Sequence, residues 1–144
     1  HRMLIGRKTY ELMNGIPADV RDEGTEKMTK TPGWLFSRTL QTTEWVGLKI
    51  VRDDLVSFVR ELKRTEGPEL RTLGSVSLVQ QLLVAGLVDR LKLVICPLIL
   101  PKTGTEPTFA GLPDIGFDLV SNKVLDGRVL LLEYRPTGTP PYAR

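Results

Sequence analysis

The stretch LRTLGSVSLVQQLLVAGLVDRLKLVICPLIL, Leu70–Leu100, decides the fold of this chain. It reads as strand, glycine turn, helix and strand. Leu70–Leu73 follows the Gly67-Pro68 breaker, Gly74 turns the chain, and Ser75 stands where a helix N-cap belongs. Val76, Val79, Leu82 and Leu83 recur at helical spacing, Gln80 and Gln81 fall on the other face, and Gly86 takes the C′ position. Leu91, Leu93 and Ile95 then alternate with more polar neighbours until Pro97 ends regular pairing. Such a β-α-β crossover predicts a sheet that is parallel at this point. A glycine between strand and helix is also a place for a phosphate, because free N–H groups and the positive helix end converge there. Taken alone, such a turn is more often a plain connection.

The bulk properties narrow the function classes. A chain of 144 residues with 41% hydrophobic and 26% charged residues predicts one soluble globular domain, drawn at residues 1–135, with a proline-rich tail at 136–144. The net charge of +3 is small, and Lys and Arg are scattered among Asp and Glu, which argues against a nucleic-acid partner. The local basic run Arg60–Arg64 falls on the solvent face of a helix. One cysteine, Cys96, excludes an internal disulfide, and its apolar strand predicts a buried thiol. The single histidine is His1, so neither a histidine metal site nor a histidine triad is expected, and no metal is assigned. Pro97 and Pro101 break the longest apolar run, so no membrane span is expected, and no secretion signal is visible. These features predict a cytoplasmic protein; a small-molecule substrate is what the resemblance given below implies.

Outward from the central stretch, His1–Ile5 predicts a strand that enters a second strand-glycine-helix junction at Gly6-Arg7-Lys8-Thr9. Arg7, Lys8 and the Thr9 hydroxyl form a cluster of donors where a helix dipole would reinforce anion binding; a capped helix with solvated cations is the plainer alternative. Ile16–Lys30 is polar, with a loose helix expected around Ala18–Thr29. Trp34-Leu35-Phe36 is a short buried strand, and Ser37 and Arg38 follow at its C-terminal end, the edge where open parallel sheets gather ligands. Thr42–Trp45 and Leu48–Val51 are two further short apolar segments, read as small strands. Asp53 or Asp54 caps a helix with the apolar stripe Leu55, Phe58, Val59 and Leu62. Lys102–Pro113 is a loop with Phe109 as its expected anchor, and Asp126-Gly127 predicts a hairpin turn between Ile115–Leu119 and Val129–Tyr134. Pro136–Arg144 is expected to be an extended arm. The pattern alone gives an α/β sheet with a mixed edge.

Four of these segments together resemble a known family. LIGRKTYE at Leu4–Glu11, FSRTL at Phe36–Leu40, Leu73–Leu100 and the closing VLLLEYRP, in this order, are similar to the dihydrofolate-reductase-like superfamily. The closest branch is the C-terminal reductase domain of the bacterial bifunctional riboflavin-biosynthesis deaminase-reductase (RibD C-terminal type). The resemblance implies a three-layer α/β/α fold with a mainly parallel sheet and an antiparallel C-terminal hairpin. It also implies an NADPH-dependent oxidoreductase, related to the phosphoribosylaminouracil and dihydrofolate reductases, in a homodimer. Carried over, Gly6, Arg7, Lys8 and Thr9 would lie near the cofactor phosphates, Ser37 and Arg38 near the adenosine 2′-phosphate, and Gly74, Ser75 and Val76 at the pyrophosphate. The resemblance assigns no catalytic residue, and Asp19, Asp22 and Glu23 read as solvated. Where the family usually carries two glycines, this chain has Leu73-Gly74. The family's opening strand and first helix would lie before His1, so the sequence is expected to be part of a longer polypeptide. A nucleotide-binding or dimeric module without reductase activity is the alternative.

Overall fold

In the computed structural model, which describes residues 1–142, the chain divides into two compact units, His1–Gln81 and Leu82–Arg144. The first is built on a four-stranded sheet. β1 is Arg2–Gly6, β2 Gly33–Phe36, β3 Leu48–Val51 and β4 Leu70–Gly74, in the order β3-β2-β1-β4 with every pairing parallel. Parallel neighbours need crossovers, and the helices α1 (Arg7–Asn14), α2 (Glu23–Thr29) and α3 (Leu55–Leu62) lie in the intervening segments.

The period of two along each strand sorts the core into two faces. Met3 and Ile5 of β1 share one face with Leu35 of β2, and there they pack with Tyr10 of α1, Trp45 and Leu48. The rings of Tyr10 and Trp45 meet edge to face with centroids 5.4 Å apart. Asn14 accepts the indole N–H of Trp45 at 3.0 Å, and the Tyr10 hydroxyl accepts Glu44 N–H at 2.9 Å. The opposite face carries Trp34 and Phe36, and both rings meet Phe58 of α3 edge to face, at 5.7 and 5.6 Å. Helices therefore cover both faces of this sheet. The stripe read for α3 is the one it buries, with Leu55 and Val59 inside.

In the second unit, β5 (Leu91–Ile95), β6 (Gly116–Leu125) and β7 (Val129–Gly138) form an antiparallel sheet in the order β5-β7-β6. Asp126 and Gly127 have φ of 50° and 67°, the pair of left-handed conformations that a two-residue hairpin turn requires, and Arg128 N–H closes it on Leu125 C=O at 3.1 Å. α4 (Val76–Val84) begins at the end of β4, and at its far end Gly86 and Leu87 N–H return to the carbonyls of Leu83 and Leu82. Its buried residues are Leu78, Leu82 and Leu83, so Leu78 joins the apolar stripe.

Several expectations are corrected here. The β4-α4-β5 segment forms as read, but β4 pairs with β1 and β5 pairs antiparallel with β7, so the crossover does not join parallel neighbours. Local pattern sets the elements; the ladder each strand joins depends on distant residues. Thr42–Trp45 is a loop anchored by the buried Trp45, not a strand. The helix expected over Ala18–Thr29 is broken into the single turn Ala18–Val20 and α2, because Asp22 caps a fresh start. Cys96 is exposed just beyond β5, and Phe109 is 51% exposed rather than anchoring its loop. Pro136–Gly138 belongs to β7, with Pro136 opposite Phe117, so the arm begins later than residue 136; Ala143 and Arg144 lie outside the described residues.

Two caps make acid stability measurable. Asp22 accepts from the Thr25 hydroxyl and N–H at 2.7 and 2.8 Å, and Asp54 accepts Ser57 N–H at 2.9 Å. Hydrogen bonds from Thr25 hold the Asp22 carboxyl below the usual carboxylate range, and those from Ser57 do the same for Asp54, aided by Arg38 and Arg60. A lowered folded-state pKa favours the fold above the unfolded value, near pH 4, and that contribution is lost as pH falls through the folded value. Replacing both residues by Asn keeps a capping oxygen and removes the charge. Thermal unfolding of this double variant should depend less on pH below about 4 than the parent does; an unchanged acid slope would separate the caps from the acid transition.

Candidate functional site

All three junctions singled out in the sequence fall on one edge of one sheet. β1, β2, β3 and β4 run parallel, so Gly6, Phe36, Val51 and Gly74 end at the same side, and the polar residues after them stand in a row. Strands spaced 4.7–4.9 Å apart make that row roughly 15 Å long. Gly6 is the register partner of Phe36, which puts Ser37 and Arg38 beside the start of α1.

The closest approach joins β1 and β4. A Cβ on Gly6 would lie 2.6 Å from Ser75 Oγ and 2.9 Å from Ser75 N, and a Cβ on Gly74 would lie 2.8 Å from Thr9 Oγ1. Gly74 has φ of 111°, a conformation open to glycine and strained for other residues, and the Gly74–Ser75 peptide is cis. The register between β1 and β4 slips by one residue here. Leu4 faces Thr72 and Ile5 faces Gly74, so Leu73 is the extra residue of a bulge and is 43% exposed. The close approach is thus made by Gly74 and Ser75, one position later than the Leu73-Gly74 pair compared in the sequence.

Two helix starts meet at this point. The N-cap of α1 is Gly6, which offers no side-chain acceptor, and its first turn holds no acid. α4 likewise has no acid in its first turn; Ser75 C=O accepts its first helical bond from Val79 N–H at 3.1 Å. The Ser75 hydroxyl lies 3.0 Å from the Ser77 hydroxyl. Backbone N–H groups of two adjacent first turns, with no carboxylate among them, make a surface suited to an anion. Arg7 contributes less than its charge suggests, because its guanidinium pairs with Glu11 at 2.9 Å, while Lys8 is exposed.

The β2 end is organised differently. Ser37 is 8% exposed, and its hydroxyl oxygen accepts Thr39 and Leu40 N–H at 3.2 and 3.1 Å. Ser37 therefore shapes the turn, while Arg38 stands exposed on it. The Asp54 carboxylate at the start of α3 feels the Arg38 charge. Of the acids weighed in the sequence, Asp22 caps α2, and Asp19 and Glu23 are exposed. Sequence reasoning missed Arg52, whose Nη2 donates to Leu40 C=O at 2.7 Å and to Gln41 Oε1 at 3.3 Å. It follows the last residue of β3, so the rule that singled out Ser37 and Arg38 could have found it.

A parallel α/β sheet with paired helix starts and a guanidinium along its C-terminal edge has the layout of sheets that take nucleotides there. Residues 4–131 match the family described as the RibD C-terminal domain, and the chain belongs to that family. The chain is 25% identical over 142 residues to YyaP, an uncharacterized protein of Bacillus subtilis, covering 94% of this chain and 74% of that one. Its fold is similar to that of a protein provisionally assigned to riboflavin biosynthesis from Shewanella sp. PV-4. There the TM-score is 0.73 at 19% identity, over 94% of this chain and 73% of the other. It is also similar to a pyrimidine reductase-like protein of Corynebacterium diphtheriae, with a TM-score of 0.63 at 15% identity, over 94% and 75% of the two chains. The dihydrofolate-reductase-like fold, with a parallel four-stranded sheet and antiparallel C-terminal strands, is thereby established. Among the described residues no helix is long and apolar enough to cross a membrane.

The packing at the junction is directly testable. Gly6→Ala should lower stability by about 1–3 kcal/mol, because the new methyl has to displace the Ser75 backbone as well as its hydroxyl. Thermal or denaturant unfolding measures it, and an unaltered midpoint would mean that β1 and β4 are not held this closely.

Proposed function

We propose that this domain is an NADPH-dependent reductase that delivers hydride to a C=N or C=O group of a small heterocyclic or carbonyl substrate. The observation that carries this reading is the meeting of two acid-free helix starts at Gly6 and Ser75. Membership of a family of reductase domains that typically use NAD(P)H supports it. The residues present fit such a cofactor. The first-turn N–H groups of α1 and α4 would receive the pyrophosphate, and the absence of side chains at Gly6 and Gly74 lets Ser75 and Thr9 close in so that the two helix starts stand together. Thr9 and Ser75 add hydroxyls at the same place, and Arg38 would receive the 2′-phosphate that separates NADPH from NADH. When bound, the dihydronicotinamide supplies the hydride. The chain's own part is to bind, orient and neutralise charge.

Titration of the purified protein with NADPH and with NADH, followed by heat-unfolding, tests the reading. NADPH should raise the melting temperature, by an amount equivalent to about 2.7 kcal/mol at a hundredfold excess over Kd. Arg38→Ala should weaken NADPH about tenfold or more, as loss of a charged hydrogen bond does, and leave NADH nearly unchanged. Equal weakening of both would remove Arg38 from the 2′-phosphate. Binding without any substrate-dependent loss of nicotinamide absorbance would favour a nucleotide-binding module instead, and no binding of either would sink the proposal.

A further inference from the structure

We infer that Arg52 is a positioning residue for cofactor discrimination, acting through Arg38 by fixing the turn that presents it. This rests on the proposed reading of Arg38.

The turn after β2 is tied down on both sides of Arg38. Before it, Ser37 N–H donates to Val51 C=O at 3.1 Å, continuing the β2-β3 ladder by one bond. After it, the Leu40 side chain packs against the buried core, and the Ser37 hydroxyl takes the N–H groups of Thr39 and Leu40. The Leu40 carbonyl is held from the end of β3. Arg52 donates to it at 2.7 Å and reaches Gln41 Oε1 with the same nitrogen. Both bonds come from one guanidinium nitrogen, so a single residue at the end of β3 ties down the Leu40 backbone and the Gln41 side chain together.

An exposed arginine at position 38 has many rotamers, and its discrimination depends on how much freedom binding removes. Fixing its backbone spares the separate cost of ordering the turn, and only the ligand that uses the guanidinium gains from it. Arg52 should therefore affect NADPH and NADH unequally, through its bonds to Leu40 and Gln41.

The test measures Kd for NADPH and NADH, with melting temperature, in the parent, Arg38→Ala, Arg52→Ala, Arg52→Lys and the double Ala variant. Arg52→Ala should weaken NADPH about five- to tenfold with NADH within about twofold, as loss of one orienting hydrogen bond permits. Arg52→Lys should recover part of the preference, since its ammonium keeps the charge and can donate to the Leu40 carbonyl, from a shorter and more flexible stem. In the Arg38→Ala background, Arg52→Ala should add nothing to the loss of preference, because its effect runs through Arg38. Additive losses would overturn the inference, as they would place Arg52 on the phosphate itself. Equal weakening of both cofactors would overturn it too, by making the role structural. A parent preference lost in Arg38→Ala but kept in Arg52→Ala would sink this inference alone. A parent without any NADPH preference would sink it together with the reading of the site.

Discussion

The candidate site depends on the approach of the β1 and β4 ends, where Gly6 and Ser75 leave no room for a side chain between them. In an ordinary parallel pair, a residue with a Cβ fits at every position. Here Leu73 bulges out of register, Gly74 takes a left-handed φ, and Thr9 closes over it. The consequence is that α1 and α4 begin side by side. A helix start has N–H groups without intrahelical partners, so two starts together concentrate donors that neither could supply alone. The bulge, the glycines and the lack of acid in both first turns serve one arrangement.

Much of this is legible in the sequence. The strand-glycine-helix junctions were visible because glycine, hydrophobic period and capping residues act locally, and all of them formed where the pattern put them. The row they make was not visible from pattern alone. It requires β4 to pair with β1, some 70 residues earlier, and no local signal carries that partnership. The same limit misled the reading of β5, whose alternation of Leu91, Leu93 and Ile95 suits either ladder direction. It misled Thr42–Trp45 as well, because a buried tryptophan looks alike in a strand and in a loop that dips into the core. Pro136 reads as an ending, yet the β5 ladder stops at Tyr134, so this end of the central strand β7 pairs with β6 alone and accommodates a residue without a donor.

Side-chain roles were read less well than positions, for a related reason. Ser37 was singled out for its hydroxyl, but that oxygen is already an acceptor for two backbone N–H groups, so it shapes the turn that displays Arg38. Arg7 carries a charge in the right place, but Glu11 one turn later takes much of it. An i,i+4 partner can be read from sequence, and here it outranks the helix start as the neighbour of that guanidinium. Arg52 stands at the same edge as Arg38, one residue after β3, but its partner is not legible in the sequence. Its hydrogen bond to Leu40 C=O exists only once β2 and β3 are paired.

Two kinds of electrostatics are therefore separated along the edge. At β1 and β4 the favourable field comes from backbone dipoles, held by close packing and indifferent to what lies farther along a ligand. At β2 and β3 it comes from Arg38, whose charge is formal, exposed and answered by Asp54 nearby. Dipoles fixed in a packed junction are lost only if the junction opens, whereas an exposed guanidinium is weakened by salt and by freedom of its own rotamers. On the proposed reading, affinity for the part common to both nicotinamide cofactors belongs to the first region and discrimination between them to the second. On the same reading the second region would need extra anchoring, because a charge in solvent discriminates only as well as the backbone beneath it is held.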